Sequence, residues 1–230
     1  MTRKIISVIG AQNAGKDITM NKLQKRLIFT HNYLMRTVRC RFADSLNQAV
    51  AAILGIDGRE LQDRNLKEEK RFSFEDYDYP DTHSSRDVQK QVGQLLRENL
   101  GGHVFINALD KRYPKPDSIL LISDLRMANE LDWVKRQGGK IVYIHNEKAS
   151  QAQRERECKT TALRTNVSET NYPIWASSER IDHVPPESEL LQWDFYNKRE
   201  VPDYWFDNND FSDVKPFDDF VQFVVDYLEN

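Results

Sequence analysis

Lys4-Ile5-Ile6-Ser7-Val8-Ile9-Gly10-Ala11-Gln12-Asn13-Ala14-Gly15-Lys16-Asp17 is the stretch on which the fold turns. Ile5, Ile6, Val8 and Ile9 are apolar at both parities, the pattern of a strand buried on both faces. Gly10 breaks the run. After Gly15 and Lys16 the period changes to that of a helix, with Met20, Leu23 and Leu27 on one side, so the order is strand, glycine loop, helix. The spacing Gly10-x-x-x-x-Gly15-Lys16 is that of a phosphate-binding loop. Glycines let backbone N–H groups turn toward an anion, the helix N-terminus adds partial positive charge, and Lys16 supplies a mobile point charge. Gly10, Asn13, Ala14, Gly15, Lys16 and Asp17 are therefore the candidate nucleotide-binding set. One position departs from the pattern. Asp17 stands where a Ser or Thr hydroxyl would reach magnesium. A carboxylate can hold that ion directly or through water, or it can simply complement the first helical turn.

The 230 residues suit one large α/β domain with insertions. A formal net charge of −3 argues against a general binder of nucleic-acid polymers. No apolar run is long enough to span a membrane. Met-Thr-Arg-Lys leads straight into a core strand and carries no recognisable cleaved signal. Cys40 and Cys158 are the only cysteines, without metal-ligand spacing, and a reduced, cytoplasmic setting is expected.

Working outward, a second strand is expected near Thr37–Phe42. A helix carrying Leu46, Ala49, Val50, Ile53 and Leu54 follows and stops at Gly55. Asp44, between them, reads equally as a helix cap or as a group facing a cleft. Residues 58–82 are polar, with a short helix over 60–70 and then alternating aromatic and acidic residues from Phe72 to Tyr79. These read mostly as rings packed onto the domain. Ser84 or Ser85 caps a helix over about 86–100. On it Val88, Val92, Leu95 and Leu96 share one face, and Arg86, Gln89, Lys90, Gly93 and Arg97 the other. A glycine inside a helix costs about 1 kcal/mol against alanine. Close approach of a ligand or of another backbone would account for it. An anionic substrate along this face would account for the basic groups as well.

Another helix is expected over His103–Tyr113. Ser118–Ile122 is a fully apolar strand ending in Ser123-Asp124-Leu125-Arg126. Ligands of open parallel sheets bind outside such strand ends. Asp124 there reads as a second magnesium-handling carboxylate and Arg126 as a phosphate contact; the plainer alternative is a salt bridge between them. Asn129 and Glu130 open a further helix, and Lys140–His145 is another strand. Residues 149–161, with Arg154 and Arg156, form either a solvated helix or a lid that closes over phosphates. A last strand is expected at Arg180–Val184, a surface wrap over residues 185–215, and an amphipathic helix carrying Phe217, Phe220, Val221, Val224 and Leu228.

With these residues in place the chain resembles the bacteriophage-type deoxynucleoside monophosphate kinases. The shared features are the Gly-Lys-Asp ending of the loop, Phe42-Ala43-Asp44, the Arg97-containing helix, and Val104-Phe105-Ile106-Asn107-Ala108-Leu109. They continue with Ser123-Asp124-Leu125-Arg126-x-x-Asn129-Glu130, Gly138-Gly139 and Val167-Ser168-Glu169. The likeness spans residues 4 to about 170. It implies a three-layer α/β P-loop NTPase fold, a parallel sheet flanked by helices in a single domain. An acceptor-binding insertion falls over about 58–113, a lid over about 148–165, and a C-terminal wrap and helix over about 185–230. It implies transfer of the γ-phosphoryl of ATP to a deoxynucleoside 5′-monophosphate with Mg2+, in the cytoplasm of the host cell for a phage gene product. Lys16, Asp124, Arg126, Arg154 and Arg156 would carry catalysis, and Asp17 and Asp124 the metal. Asp44, Arg71, Arg86, Gln89, Gly93, Arg97, Arg126 and Glu130 would hold the acceptor. A homodimer is left open. Two rivals stand beside this reading: a phosphomevalonate-kinase-like enzyme, whose class shares the Gly-Lys-Asp loop, and a nucleotide-binding module without turnover.

Overall fold

The computed structural model describes residues 3–11, 13–30, 37–61, 63–73, 82–114, 118–149, 152, 202–210 and 214–230. The chain divides into two compact units, one made of residues 1–40 and 115–230 and the other of residues 41–114.

In chain order the first unit contains β1 (Lys4–Ile9), α1 (Lys16–Phe29) and β2 (Thr37–Cys40). The second contains α2 (Asp44–Leu54), α3 (Arg64–Lys67), β3 (Lys70–Ser73), β4 (Thr82–Ser84), α4 (Ser85–Leu100) and α5 (Val104–Arg112). The first unit then resumes with β5 (Ile119–Ile122), α6 (Ala128–Arg136), β6 (Lys140–His145), β7 (Tyr204–Asp207) and α7 (Lys215–Glu229).

Because β1 is apolar on both faces it can only lie inside, and it takes the centre of a five-stranded sheet of order β2-β5-β1-β6-β7. Each pairing in that sheet is parallel. Ile6, Val8, Ile119, Leu121, Val142 and Ile144 face α1 and α7 and share a core with Met20, Leu23, Leu27, Phe220, Val221 and Val224. The alternate residues turn to the other face, where Ile5 meets the end of α6. A Cβ on Gly139 would lie 2.8 Å from Val134 Cγ1 and 2.9 Å from Ile5 Cβ. Sheet and flanking helices form the three-layer α/β P-loop fold expected from the sequence.

Within the segment read as a surface wrap, Tyr204–Asp207 forms the fifth strand, paired with β6 from Val142↔Tyr204 to His145↔Asp207. Aromatic residues suit a pleated, half-buried edge, and Phe206 is the side chain that goes inside. Asp203 sets the register: it accepts from Lys140 Nζ at 2.8 Å and from the Ile141 N–H at 2.9 Å. The strand expected at 180–184 lies outside the described residues.

In the second unit, Ser84 rather than Ser85 caps α4. Its hydroxyl meets the Asp87 N–H at 3.2 Å while the Asp87 carboxylate accepts from the Ser84 N–H at 3.0 Å. Burial pushes the Asp87 carboxyl up, but the Ser84 bonds and the nearby Lys90 and Lys70 charges bring it below the usual value. That cap therefore stabilises the unit above the ordinary carboxylate range and is lost on acidification through the lowered value. Residues 70–84 contain an antiparallel pair, β3 with β4, that the sequence did not suggest.

Phe220 is fully buried, with ring centroids 5.3 Å from Phe206 and 5.7 Å from Tyr204. Phe220→Ala should cost about 3–5 kcal/mol in chemical denaturation and should loosen β7 before the centre of the sheet, as read by amide exchange.

Candidate phosphate site

The loop after β1 is shaped by contact with its neighbours. At Gly10, φ is 148°, and a Cβ there would sit 2.5 Å from the Ile144 carbonyl oxygen on β6. No side chain fits. Ala11 and Ala14 are buried, so the loop lies flat on the core, and the Ala14 N–H donates to Ala11 O at 3.2 Å. Asn13 takes the left-handed conformation with φ 67°, and Gly15, with φ 91°, leads into α1. Asn is among the few non-glycine residues found there readily. Lys16 Nζ donates to Gly10 O and Ala11 O, each at 2.8 Å. The lysine is thus folded across the mouth of its own loop, on a stem long enough to turn toward an anion.

Strand order places the second group. β1 and β5 are hydrogen-bonded neighbours with Ser7 opposite Ile122, so the chain leaving β5 emerges beside the loop. The Ser123 hydroxyl donates to Asp17 Oδ1 at 2.7 Å. Asp124 follows and is 8% exposed. Glu130, also buried, accepts from the Arg126 and Met127 N–H groups, both at 3.0 Å, and so fixes the turn that carries Arg126. The carboxylate expected to touch substrate is thus seen holding the backbone of its own turn.

Sequence reasoning missed Asn208. This residue is 4% exposed, receives no local pattern signal, and donates through Nδ2 to Ala14 O at 2.7 Å. Its backbone N–H donates to His145 O at 2.8 Å, and its carbonyl accepts from Asn146 Nδ2 at 2.8 Å. The far end of the sheet thereby grips the loop. Beside it a cavity of about 110 Å3 is lined by Thr19 and Lys22 of α1, by Phe206, Asp207, Asn208 and Asp210, and by Val214 and Phe217.

The residues expected to hold an acceptor divide between the units. Asp44, Arg71, Arg86, Gln89, Gly93 and Arg97 belong to residues 41–114, and Arg126 and Glu130 to the unit with the loop. Within residues 41–114 each has a local partner. Asp44 accepts from the Arg41 N–H at 2.9 Å. Arg71 pairs with Glu60 at 2.9 Å, and Arg86 pairs with Glu68. Gln89 donates to Asn47 Oδ1 at 2.8 Å, and the Arg97 guanidinium lies 4.8 Å from the centre of the Phe105 ring. Gly93 is buried, and a Cβ on it would meet Leu46 Cδ2 at 3.0 Å. Packing of α4 on α2 thus gives the glycine a reason of its own. Arg154 and Arg156 lie outside the described residues.

A parallel sheet with a glycine loop after its central strand, a lysine opening the next helix and a serine–aspartate step at the neighbouring strand end define a protein of the P-loop fold. No family model matches the chain, and no curated protein matches it. Among solved structures it is similar to APS kinase from Mycobacterium tuberculosis in complex with AMPPNP and APS, at 12% identity and TM-score 0.41, covering 100% of this chain and 99% of that one. It is similar to Chaetomium thermophilum Kti12 in complex with ADP-AlF3, at 14% identity and TM-score 0.43, covering 96% and 97%. It is also similar to shikimate kinase from Bacteroides thetaiotaomicron, at 12% and 0.35, covering 100% of both chains. At these values the likeness adds nothing to what the strand order and loop already define. Among the described residues no helix is long and apolar enough to cross a membrane.

Removing the Asn208 amide leaves the Ala14 carbonyl buried without its donor. Asn208→Ala should cost about 1–3 kcal/mol in urea unfolding.

Proposed function

We propose that this chain is an ATP-dependent phosphotransferase whose acceptor is a deoxynucleoside 5′-monophosphate. The observation that carries the reading is the loop itself, built with Gly10 against β6, Asn13 and Gly15 in left-handed backbone, and Lys16 at the mouth. Resemblance in the residues from Gly15-Lys16-Asp17 to Asn129-Glu130 supports the acceptor class. In the reaction a bond forms between a phosphate oxygen of the acceptor and the γ-phosphorus of ATP. The bond from that phosphorus to the β-bridging oxygen breaks, and ADP leaves. Such transfer asks the protein for alignment and charge neutralisation rather than covalent chemistry.

Lys16 would leave the Gly10 and Ala11 carbonyls and take the outer phosphates. Arg126, on the turn fixed by Glu130, would face the transferring group, its fork suited to two oxygens at once. Asp17 and Asp124 are hard oxygen donors beside the loop. They suit magnesium, which is commonly held by one or two carboxylates together with substrate phosphates. When bound, the ion would neutralise charge on the β- and γ-oxygens. The cavity along α1 shares Asn208 with the loop and would take the base of the donor. Its volume matches a ring rather than a whole nucleotide, and Asp207 and Asp210 can accept from base N–H groups. Arg71, Arg86, Gln89, Gly93 and Arg97, with Asp44, would serve the acceptor, and Arg154 and Arg156 the closing lid.

The test is ADP release from ATP over a panel of deoxynucleoside monophosphates, with ribonucleotides and phosphomevalonate as controls. Turnover with a deoxynucleotide is the expected outcome; turnover only with an acceptor lacking a base would transfer the reading to the other kinase class. Lys16→Ala should keep the thermal midpoint and slow transfer by about 3 kcal/mol or more, roughly a hundredfold. Arg126→Lys should raise the acceptor requirement while ATP binding in the absence of acceptor stays near normal, because a point charge does not replace the fork.

A further inference from the structure

In the pattern Gly-x-x-x-x-Gly-Lys-Ser/Thr the hydroxyl belongs to the loop, and the partner carboxylate belongs to a neighbouring strand end. Here Asp124 keeps the strand-end carboxylate, a second carboxylate stands at the loop position, and a hydroxyl precedes Asp124. The second carboxylate, Asp17, is on the first turn of α1. The hydroxyl, Ser123, directly follows β5 and donates to Asp17 Oδ1 at 2.7 Å. The pairing follows from topology: β5 lies against β1 with Ile122 opposite Ser7, so Ser123 is the first residue past the strand on the loop's side.

We propose that Ser123 is a positioning residue that orients the Asp17 carboxylate toward the divalent cation accompanying a nucleoside triphosphate on the loop. The inference rests on the nucleotide reading above. A serine hydroxyl has one proton to give. Given to Asp17, that proton is not available to a phosphate, so Ser123 acts through Asp17 rather than on the ligand. The demand for such a group is physical. Asp17 is exposed, and an aspartate on the first helical turn readily turns back to cap backbone N–H groups. A hydrogen bond from a neighbouring strand holds one rotamer against that alternative. Asp17 adds a carboxylate to the one that Asp124 supplies, and it does so at the helix N-terminus, where negative charge is favoured.

The experiment measures binding of AMPPNP to the full chain by calorimetry, with Mg2+ and with EDTA, and bound Mn2+ by electron paramagnetic resonance. Ser123→Ala should weaken the cation-dependent part of nucleotide affinity by roughly ten- to a hundredfold, the scale of one hydrogen bond to a charged group, and leave the affinity in EDTA unchanged. Ser123→Thr keeps the donor and should retain the cation dependence. Asp17→Ala should lose most of it. Adding Ser123→Ala to Asp17→Ala should cause no further loss, because Ser123 acts through Asp17. Thermal unfolding of each variant separates these effects from misfolding. An unchanged cation dependence in Ser123→Ala, or a further loss when Ser123→Ala is added to Asp17→Ala, overturns the pairing while nucleotide binding in EDTA keeps the loop assignment standing. Absence of AMPPNP binding by the unaltered chain in both conditions overturns the loop assignment and the pairing together.

Discussion

Gly10 has no room for a side chain, and the shape of the phosphate loop follows from that. The backbone leaving β1 passes so close to β6 that a Cβ would stand 2.5 Å from the Ile144 carbonyl. A chain held that tightly cannot run on as a strand. It turns over the sheet edge, and the two small residues that follow, Ala11 and Ala14, allow it to lie on the core instead of above it. Asn208 then closes the arrangement from β7 by taking the Ala14 carbonyl. The loop is anchored by sterics at one end, by apolar contact in the middle and by a buried hydrogen bond beside its last glycine. Preorganisation of this kind lets backbone groups act on charge without first being ordered.

Much of this was legible in the sequence wherever the signal was local. The strand–loop–helix at residues 4–29 and the apolar run Ile119–Ile122 declare themselves by period and composition, as does the helix with Phe220, Val221 and Val224. β7 did not, because four residues are too few to show alternation and Tyr204-Trp205-Phe206 reads equally well as aromatic packing. Asn208 could not be found at all by pattern, since its partner is 194 residues away. On α4 the apolar pattern pointed at Val88, Val92, Leu95 and Leu96, yet Leu95 is 58% exposed and Gly93 is buried. The inward face of that helix is decided by α2, where Leu46 needs the space that a glycine leaves, and no periodicity in α4 alone encodes its neighbour.

The partners of the cations in residues 41–114 bear on what those cations can do. Arg71 and Glu60 are both partly exposed, and pairs of that sort contribute only about 0–1 kcal/mol. An arginine so held is easily transferred to a phosphate, whose two accessible oxygens and greater charge make the stronger partner. Arg97 differs, because its guanidinium rests on the Phe105 ring and can keep that contact while its edge bonds elsewhere. Local pairing therefore gives each of these side chains a defined partner within residues 41–114.

The bond between Asn208 and Ala14 also dictates an order of events during synthesis. Its two ends are separated by 194 residues, and at about 5–20 residues per second the second end is made roughly ten to forty seconds after the first. Through that interval β1 can emerge and even find α1, but the carbonyl of Ala14 has no amide to meet and β6 has no outer neighbour to cover its edge. An early nascent chain would thus carry a recognisable phosphate loop that grips nothing firmly. The loop acquires its last anchor only with the strand that brings Asn208.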